Sequence, residues 1–169
     1  MSNTLNEAAG NHTAAFFSII RNKTKYRLFL LKNLPAAFFS GLQLVHVTEE
    51  ECAINIPYKW FTKNPFRSTY FACLSMAAEM STGILAMAQT YKRNPAVSML
   101  VVGIEGKFHK KATGITKFIC TDGHKIKEAV ENAITQNQPV SFKAHSVGYN
   151  LQNDVIAEFW ITWSFKAKN

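Results

Sequence analysis

The sequence predicts one α+β domain in which a single long helix is enclosed by a curved antiparallel sheet. Two observations carry that expectation. Between Ser68 and Tyr91 the only charged residue is Glu79, and Phe71, Leu74, Met80, Ile84 and Met87 fall on different faces of the helix they would form; a helix apolar all round belongs inside a core. Around it, short stretches rich in valine, isoleucine and aromatic residues alternate with polar positions, which is the period of half-buried strands. At 169 residues, the chain is long enough to bury roughly 70% of its unfolded surface around one core.

Leu5 to Asn22 reads as an amphipathic helix, with Phe16, Phe17, Ile19 and Ile20 clustered near its end and Arg21 in the last turn. Thr24 to about Ser40 reads as a second helix, capped by Thr24, kinked or ended by Pro35 and closed by Gly41. Residues 1–41 thus form a helical extension expected to dock on the outside of the sheet, and residues 42–169 form the domain proper. Leu42 to Thr48 and Cys52 to Pro57 read as a hairpin about Glu49-Glu50-Glu51. After Asn94-Pro95, Met99 to Lys110 alternates, with Leu100, Val102, Ile104 and Phe108 on one face and a bend or bulge suggested by Gly103 and Gly106. Gly114 to Thr121 is expected to pair with it across a Lys110-Lys111-Ala112-Thr113 turn. A short helix from His124 to Asn137 follows, then strands from Val140 to Tyr149 and Val155 to Lys166. In the last strand Val155, Ala157, Phe159, Ile161, Trp163 and Phe165 make one apolar face. The predicted order is a hairpin, the buried helix, and a four-stranded meander interrupted by one helix.

Composition narrows the function. With 47% hydrophobic and 18% charged residues the chain is globular rather than disordered. Its net charge of +8 favours an anionic partner without naming one. Basic and aromatic residues do not interleave as they do in nucleic-acid binders, so nucleic acid is not expected. Arg21, Lys23, Lys25, Arg27 and Lys32 allow a membrane-surface contact, although a solvated basic face on a docked helix is the simpler expectation. Ser75, Glu79, Ser81, Thr82 and Gln89 break the apolar run short of the ~20 residues a span needs, so no stable membrane insertion is expected. Cys52, Cys73 and Cys120 are odd in number and lack a Cys-x-x-Cys pair, which suggests neither a disulfide framework nor a zinc site. The start of the sequence has no secretory pattern, and a cytoplasmic location is expected. The histidines show no metal spacing, and no metal or cofactor is expected.

Asn64-Pro65-Phe66-Arg67-Ser68 leads into the buried helix, and Glu79 follows Asn64 by about fifteen residues. This arrangement resembles the hotdog fold, in particular its acyl-CoA thioesterase-like branch and that branch's uncharacterised relatives. In that family an Asn precedes the central helix and an acidic residue sits inside it at this spacing. Gly106 to Gly114 resembles a hairpin of the hotdog sheet with basic residues near its turn, and Val155-Ile156-Ala157-Glu158 resembles the start of the last strand. The likeness covers about Leu42 to Lys166. It departs at Tyr70-Phe71-Ala72, where thioesterases of this type carry a His-Gly-Gly-like segment.

Thioester hydrolysis needs an activated water or nucleophile and donors aimed at the developing oxyanion. The resemblance implies Glu79 as base or nucleophile, Asn64 orienting water or carbonyl, and the Phe71 N–H as an oxyanion donor. Ser68, Tyr70, Ser81, Thr82 and Gly83 become candidates to line the substrate cavity, and Arg67, His109, Lys110 and Lys111 to hold coenzyme A phosphates. Each has a plainer alternative: a structural carboxylate for Glu79, a turn residue for Asn64, bonds to the preceding helical turn for Ser81 and Thr82, and a solvated hairpin for the basic group. Glu79 lies ~16 Å along the helix from Ser68, so one subunit need not join the two ends of the site. The resemblance implies a homodimer, extending in some cases to a tetramer, with the site shared across two central helices. An acyl-CoA or related thioester is the expected ligand, and acyl binding without turnover is the alternative.

Overall fold

The all-round apolar segment is buried, as its composition demands. The computed structural model describes residues 2–168, with side chains from His12 to Lys168. Helix α4 spans Phe71–Thr90, and thirteen of its twenty residues are buried. Among the described helices it is the one long and apolar enough to cross a bilayer, yet it lies mostly inside the protein. Around it runs a six-stranded sheet of β1 Gln43–Val47, β2 Cys52–Ile56, β3 Val97–Phe108, β4 Thr116–Cys120, β5 Val140–Tyr149 and β6 Val155–Ala167. The strand order is β1-β2-β4-β5-β6-β3, antiparallel throughout. Helix α5, Gly123–Gln136, packs beside α4 and against β5 and β6.

The apolar face expected of the last strand is present: Ala157, Phe159, Ile161, Trp163 and Phe165 are all buried. Small residues on β5 make room for aromatic rings. A Cβ at Gly148 would stand 2.6 Å from the Phe118 ring, so only glycine allows that approach.

The expected hairpin between the third and fourth strands does not form. β3 pairs with β6 over eleven positions and becomes an edge strand, whereas the five-residue β4 lies between β2 and β5. A long ladder on an apolar strand outweighs a locally favourable turn. The Lys110-Lys111-Ala112-Thr113 segment is instead part of a connection that crosses the start of α4. The His109 and Lys110 amides both donate to the Ile156 carbonyl, at 2.8 and 3.2 Å. The Ala112 carbonyl accepts the Thr69 amide at 2.8 Å and the Thr69 hydroxyl at 3.2 Å.

The bulge foreseen near Gly103 falls between Val101 and Gly103, and it divides the apolar face assigned to this strand. Leu100 sits opposite Ser164 on the outer surface, while Ile104 and Phe108 sit opposite Ile161 and Ala157 on the helix side. One extra residue exchanges the faces of everything that follows it.

The N-terminal extension has three helices rather than two: α1 Ser2–Arg21, α2 Lys23–Asn33 and α3 Pro35–Ser40. Asn22, not Thr24, caps α2 by accepting the Lys25 amide at 3.0 Å. Pro35 opens a new helix, where its missing N–H costs nothing. These helices do not lie on the outer face of the sheet. The Thr13 hydroxyl donates to the Ala88 carbonyl at 3.1 Å, the Phe16 ring lies 5.4 Å from Tyr91, and Arg21 donates to the Val47 carbonyl of β1 at 2.7 Å. They close the far end of α4 and brace β1.

Candidate functional site

The loop before α4 is shaped by one side chain. The Asn64 carbonyl oxygen accepts the Phe66 amide at 2.9 Å and the Ser68 amide at 3.2 Å, while its NH2 donates to the Ser68 hydroxyl at 3.1 Å. Arg67 takes a left-handed conformation, φ 59°, to complete the turn. The amide of Asn64 is therefore engaged with its own loop, which fixes where α4 begins.

At that start the backbone is open. The Tyr70 amide donates to the Thr62 carbonyl at 2.7 Å, but Tyr70 provides no side-chain cap, and the Phe71 and Ala72 amides meet no acceptor among the described residues. Unpaired first-turn donors concentrate the positive end of the helix dipole. They lie beside a groove of about 600 Å³ between the Asn64 loop and the connection after β3. Asn64, Ser68, Tyr70 and Phe71 line one side of it, and His109, Lys110 and Lys111 line the other. Arg67 is not part of the lining. Phe66, Leu74 and Phe108, which the sequence did not nominate, supply much of the apolar wall.

The basic side of the groove is partly committed already. His109 Nε2 lies 2.9 Å from Glu158 Oε1, and Lys110 Nζ lies 2.9 Å from Asp154 Oδ1. Lys111 has no acidic partner among the described residues.

Glu79, Ser81, Thr82 and Gly83 stand apart from the groove. Glu79 is eight residues beyond Phe71, ~12 Å along the helix. Its carboxylate finds no hydrogen-bond donor and no cation among the described residues, and burial pushes its pKa up. It is half-buried on a stripe of α4 that the sheet leaves partly uncovered, with Ala72, Ser75 and Met76. Trp163, expected on the core face of the last strand but not nominated for the site, completes the setting: its indole N–H donates to the Thr82 hydroxyl at 2.9 Å, and Thr82 in turn donates to the Glu79 carbonyl at 2.9 Å. A buried tryptophan needs an acceptor, and that requirement on an inward strand position was the available signal. Ser81 bonds the preceding turn through the Ala78 carbonyl at 2.7 Å and meets the Ser146 hydroxyl at 2.8 Å. Ser81 thus ties helix to sheet.

Gly83 lets the carboxylate and the indole approach each other. A Cβ there would lie 3.2 Å from Glu79 Oε1 and 3.2 Å from Trp163 Cζ2. Gly83→Ala is expected to displace one of them and to cost about 1–3 kcal/mol, read as a lower denaturation midpoint together with altered Trp163 emission.

Among the described residues no group of three histidine, cysteine or acidic side chains could hold a metal ion. A second cavity of about 520 Å³ lies between α1, α2 and β1; Arg21, Tyr26, Arg27 and His46 are among its lining residues and Glu79 is not.

No protein-family model and no curated protein matches this sequence. Solved structures do. A Pseudomonas aeruginosa protein described as of unknown function and a probable thioesterase superposes with a TM-score of 0.71, at 18% identity over 86% of this chain and 96% of its own. A protein of unknown function from Chlorobaculum tepidum gives 0.72, at 16% identity over 86% of this chain and 94% of its own. A Haemophilus influenzae thioesterase gives 0.60, at 13% identity over 83% of this chain and 88% of its own.

Proposed function

We propose that this chain, which has the hotdog fold of thioesterase-like proteins, hydrolyses an acyl thioester of the coenzyme A kind at a site shared by two copies. The proposal rests on Glu79, a carboxylate held on the core helix with nothing among the described residues to neutralise it. A buried charge without a partner is costly, and it persists where it has a task. In the reaction, Glu79 takes a proton from water as that water attacks the thioester carbonyl. The oxyanion receives the Phe71 N–H, the C–S bond breaks, and the thiolate leaves with the proton held by Glu79. Asn64 acts as a positioning residue through the loop it folds. Phe66, Leu74 and Phe108 take the acyl side of the ligand, and Lys111 stands ready for its phosphates.

A second copy supplies what one chain lacks. β3 ends the sheet with an unpaired edge, and Ile104 and Phe108 on its helix side are 55% and 52% exposed. Beside them lies the uncovered stripe of α4 that carries Glu79. A long apolar edge of this kind invites pairing, and pairing through it would set two central helices side by side. The three buried, unpaired cysteines suit a reducing cytoplasm.

The Phe71 ring stands where the thioesterase-like pattern has glycine, which favours a second reading, acyl-CoA binding without turnover. Thiol release from acyl-CoA by the purified chain separates the two. We expect release, a dimer in light scattering, and a monomer without activity after Ile104→Lys. Tight acyl-CoA binding with no thiol release would select the binding module, and an active monomer would remove the shared site.

A further inference from the structure

Three elements that touch in succession turn apolar side chains outward. On α2, Tyr26 and Leu30 face the core, and at ~100° per residue Leu28 and Leu31 stand roughly opposite them; both are exposed. α3 packs on α2 and touches the 3-10 turn Trp60–Thr62, where the exposed rings of Phe39 and Phe61 lie 6.1 Å apart. Trp60, next in the chain, is 78% exposed. Phe66, six residues further along the chain, is also exposed and lines the groove.

Cations border these side chains. On the α2 helix Lys25 and Lys32 flank one side of the Leu28–Leu31 stripe, and Arg27 flanks the other, its guanidinium over the Phe38 ring at 4.7 Å. Lys59, Lys63 and Arg67 neighbour Trp60 and Phe66 along the chain. All six cations are exposed, and none has a carboxylate partner among the described residues. Between His12 and Phe71 the only acids are Glu49, Glu50 and Glu51. They occupy the β1–β2 turn, where Glu50 pairs with His124.

We infer that this face docks on an anionic lipid bilayer. Tryptophan, phenylalanine and leucine ringed by lysine and arginine match the headgroup boundary, where rings enter the acyl edge and cationic tips stay with lipid phosphates. Exposed apolar side chains gathered on touching elements call for a partner, and the cations beside them select an anionic one. A second copy fits it poorly, because a twofold contact would set these cations against their own counterparts. Docking would turn the mouth of the groove towards the membrane. That consequence rests on the proposed function; docking itself does not.

Vesicles of phosphatidylcholine, with and without phosphatidylserine, test the inference on the full chain. The protein is expected to sediment with phosphatidylserine vesicles at low salt and to leave them as salt rises. Its tryptophan emission should shift to the blue through Trp60, since Trp163 is buried and Trp160 is stacked on His145. Trp60→Ser should remove that shift. Lys25→Gln combined with Lys32→Gln should weaken partitioning about 25-fold, about fivefold per charge, with melting curves unchanged because both side chains are exposed. The salt titration and emission of the unaltered chain decide the matter even if a variant misfolds. Failure to bind phosphatidylserine vesicles overturns the inference. So does binding indifferent to salt, or lipid-free self-association that Trp60→Ser dissolves.

Discussion

Replacing Glu79 by Gln is expected to slow thioester hydrolysis by about 10²–10⁴-fold while making the folded protein more stable at neutral pH. The two effects have one cause. Burial holds the Glu79 carboxyl above the ordinary carboxylate range, so between its unfolded and folded pKa values the native chain keeps a proton that the unfolded chain releases. Stability therefore falls as pH rises through that window, and above it the native state carries the full cost of a desolvated charge. A neutral amide in its place would carry no such cost. The stabilising effect of Glu79→Gln should be present at neutral and alkaline pH and should vanish below the unfolded carboxylate pKa, where both side chains are neutral. Activity runs the other way, since a base works only when ionised, and kcat/KM of the unaltered protein should climb through the same window. Thermal melts of both proteins across pH, beside rate profiles, check the pair of outcomes. A structural carboxylate would behave oppositely: its amide would destabilise the fold and leave the pH–rate profile in place.

The long helix, the first hairpin and the last two strands were legible because each is dictated by its own composition. Glu79 in an otherwise uncharged segment, and Phe159, Ile161, Trp163 and Phe165 at every second position, admit few alternatives. Pairing was less legible. Lys110-Lys111-Ala112-Thr113 has the composition of a tight turn, and nothing near it in sequence reveals that β6, about fifty residues away, offers β3 a longer ladder. The bulge at Gly103 was visible as a glycine, but its consequence, Leu100 and Ile104 on opposite faces, depends on register.

The site was legible in the same uneven way. Asn64, Ser68, Tyr70, Phe71, His109, Lys110 and Lys111 do gather at one groove, because the loop before α4 and the connection after β3 meet at the helix start. That the Asn64 amide is turned onto the Phe66 and Ser68 amides could not be read from spacing, since an Asn before Pro serves a turn or a ligand equally well. The Trp163–Thr82 bond was hidden for a different reason. It joins residues eighty-one positions apart, and only the curvature of the sheet over α4 brings them together.

Phe71→Pro should be the most selective lesion at the helix start. Phe71 is the first residue of α4, Tyr70 before it is extended at φ −60°, ψ 136°, and the Phe71 amide has no acceptor among the described residues. Proline is well accepted at that position, and its neighbour already has the required conformation. The substitution thus removes one N–H and one ring. Phe71→Ala removes only the ring and should retain most of kcat, whereas Phe71→Pro should lose a further factor of about 10²–10³ in kcat with little change in KM or melting temperature. Equal rates for the two would mean that the oxyanion is held elsewhere. Because Phe71 and Glu79 are ~12 Å apart on one helix, the same variant also tests where the site lies. Mixed with Glu79→Gln copies, Phe71→Pro copies should form dimers in which one site carries both lesions and the other neither. Activity should then return to about a quarter of the unaltered level after subunit exchange. No recovery on mixing would require both groups to act within one chain, which their separation along α4 does not permit without a different substrate path.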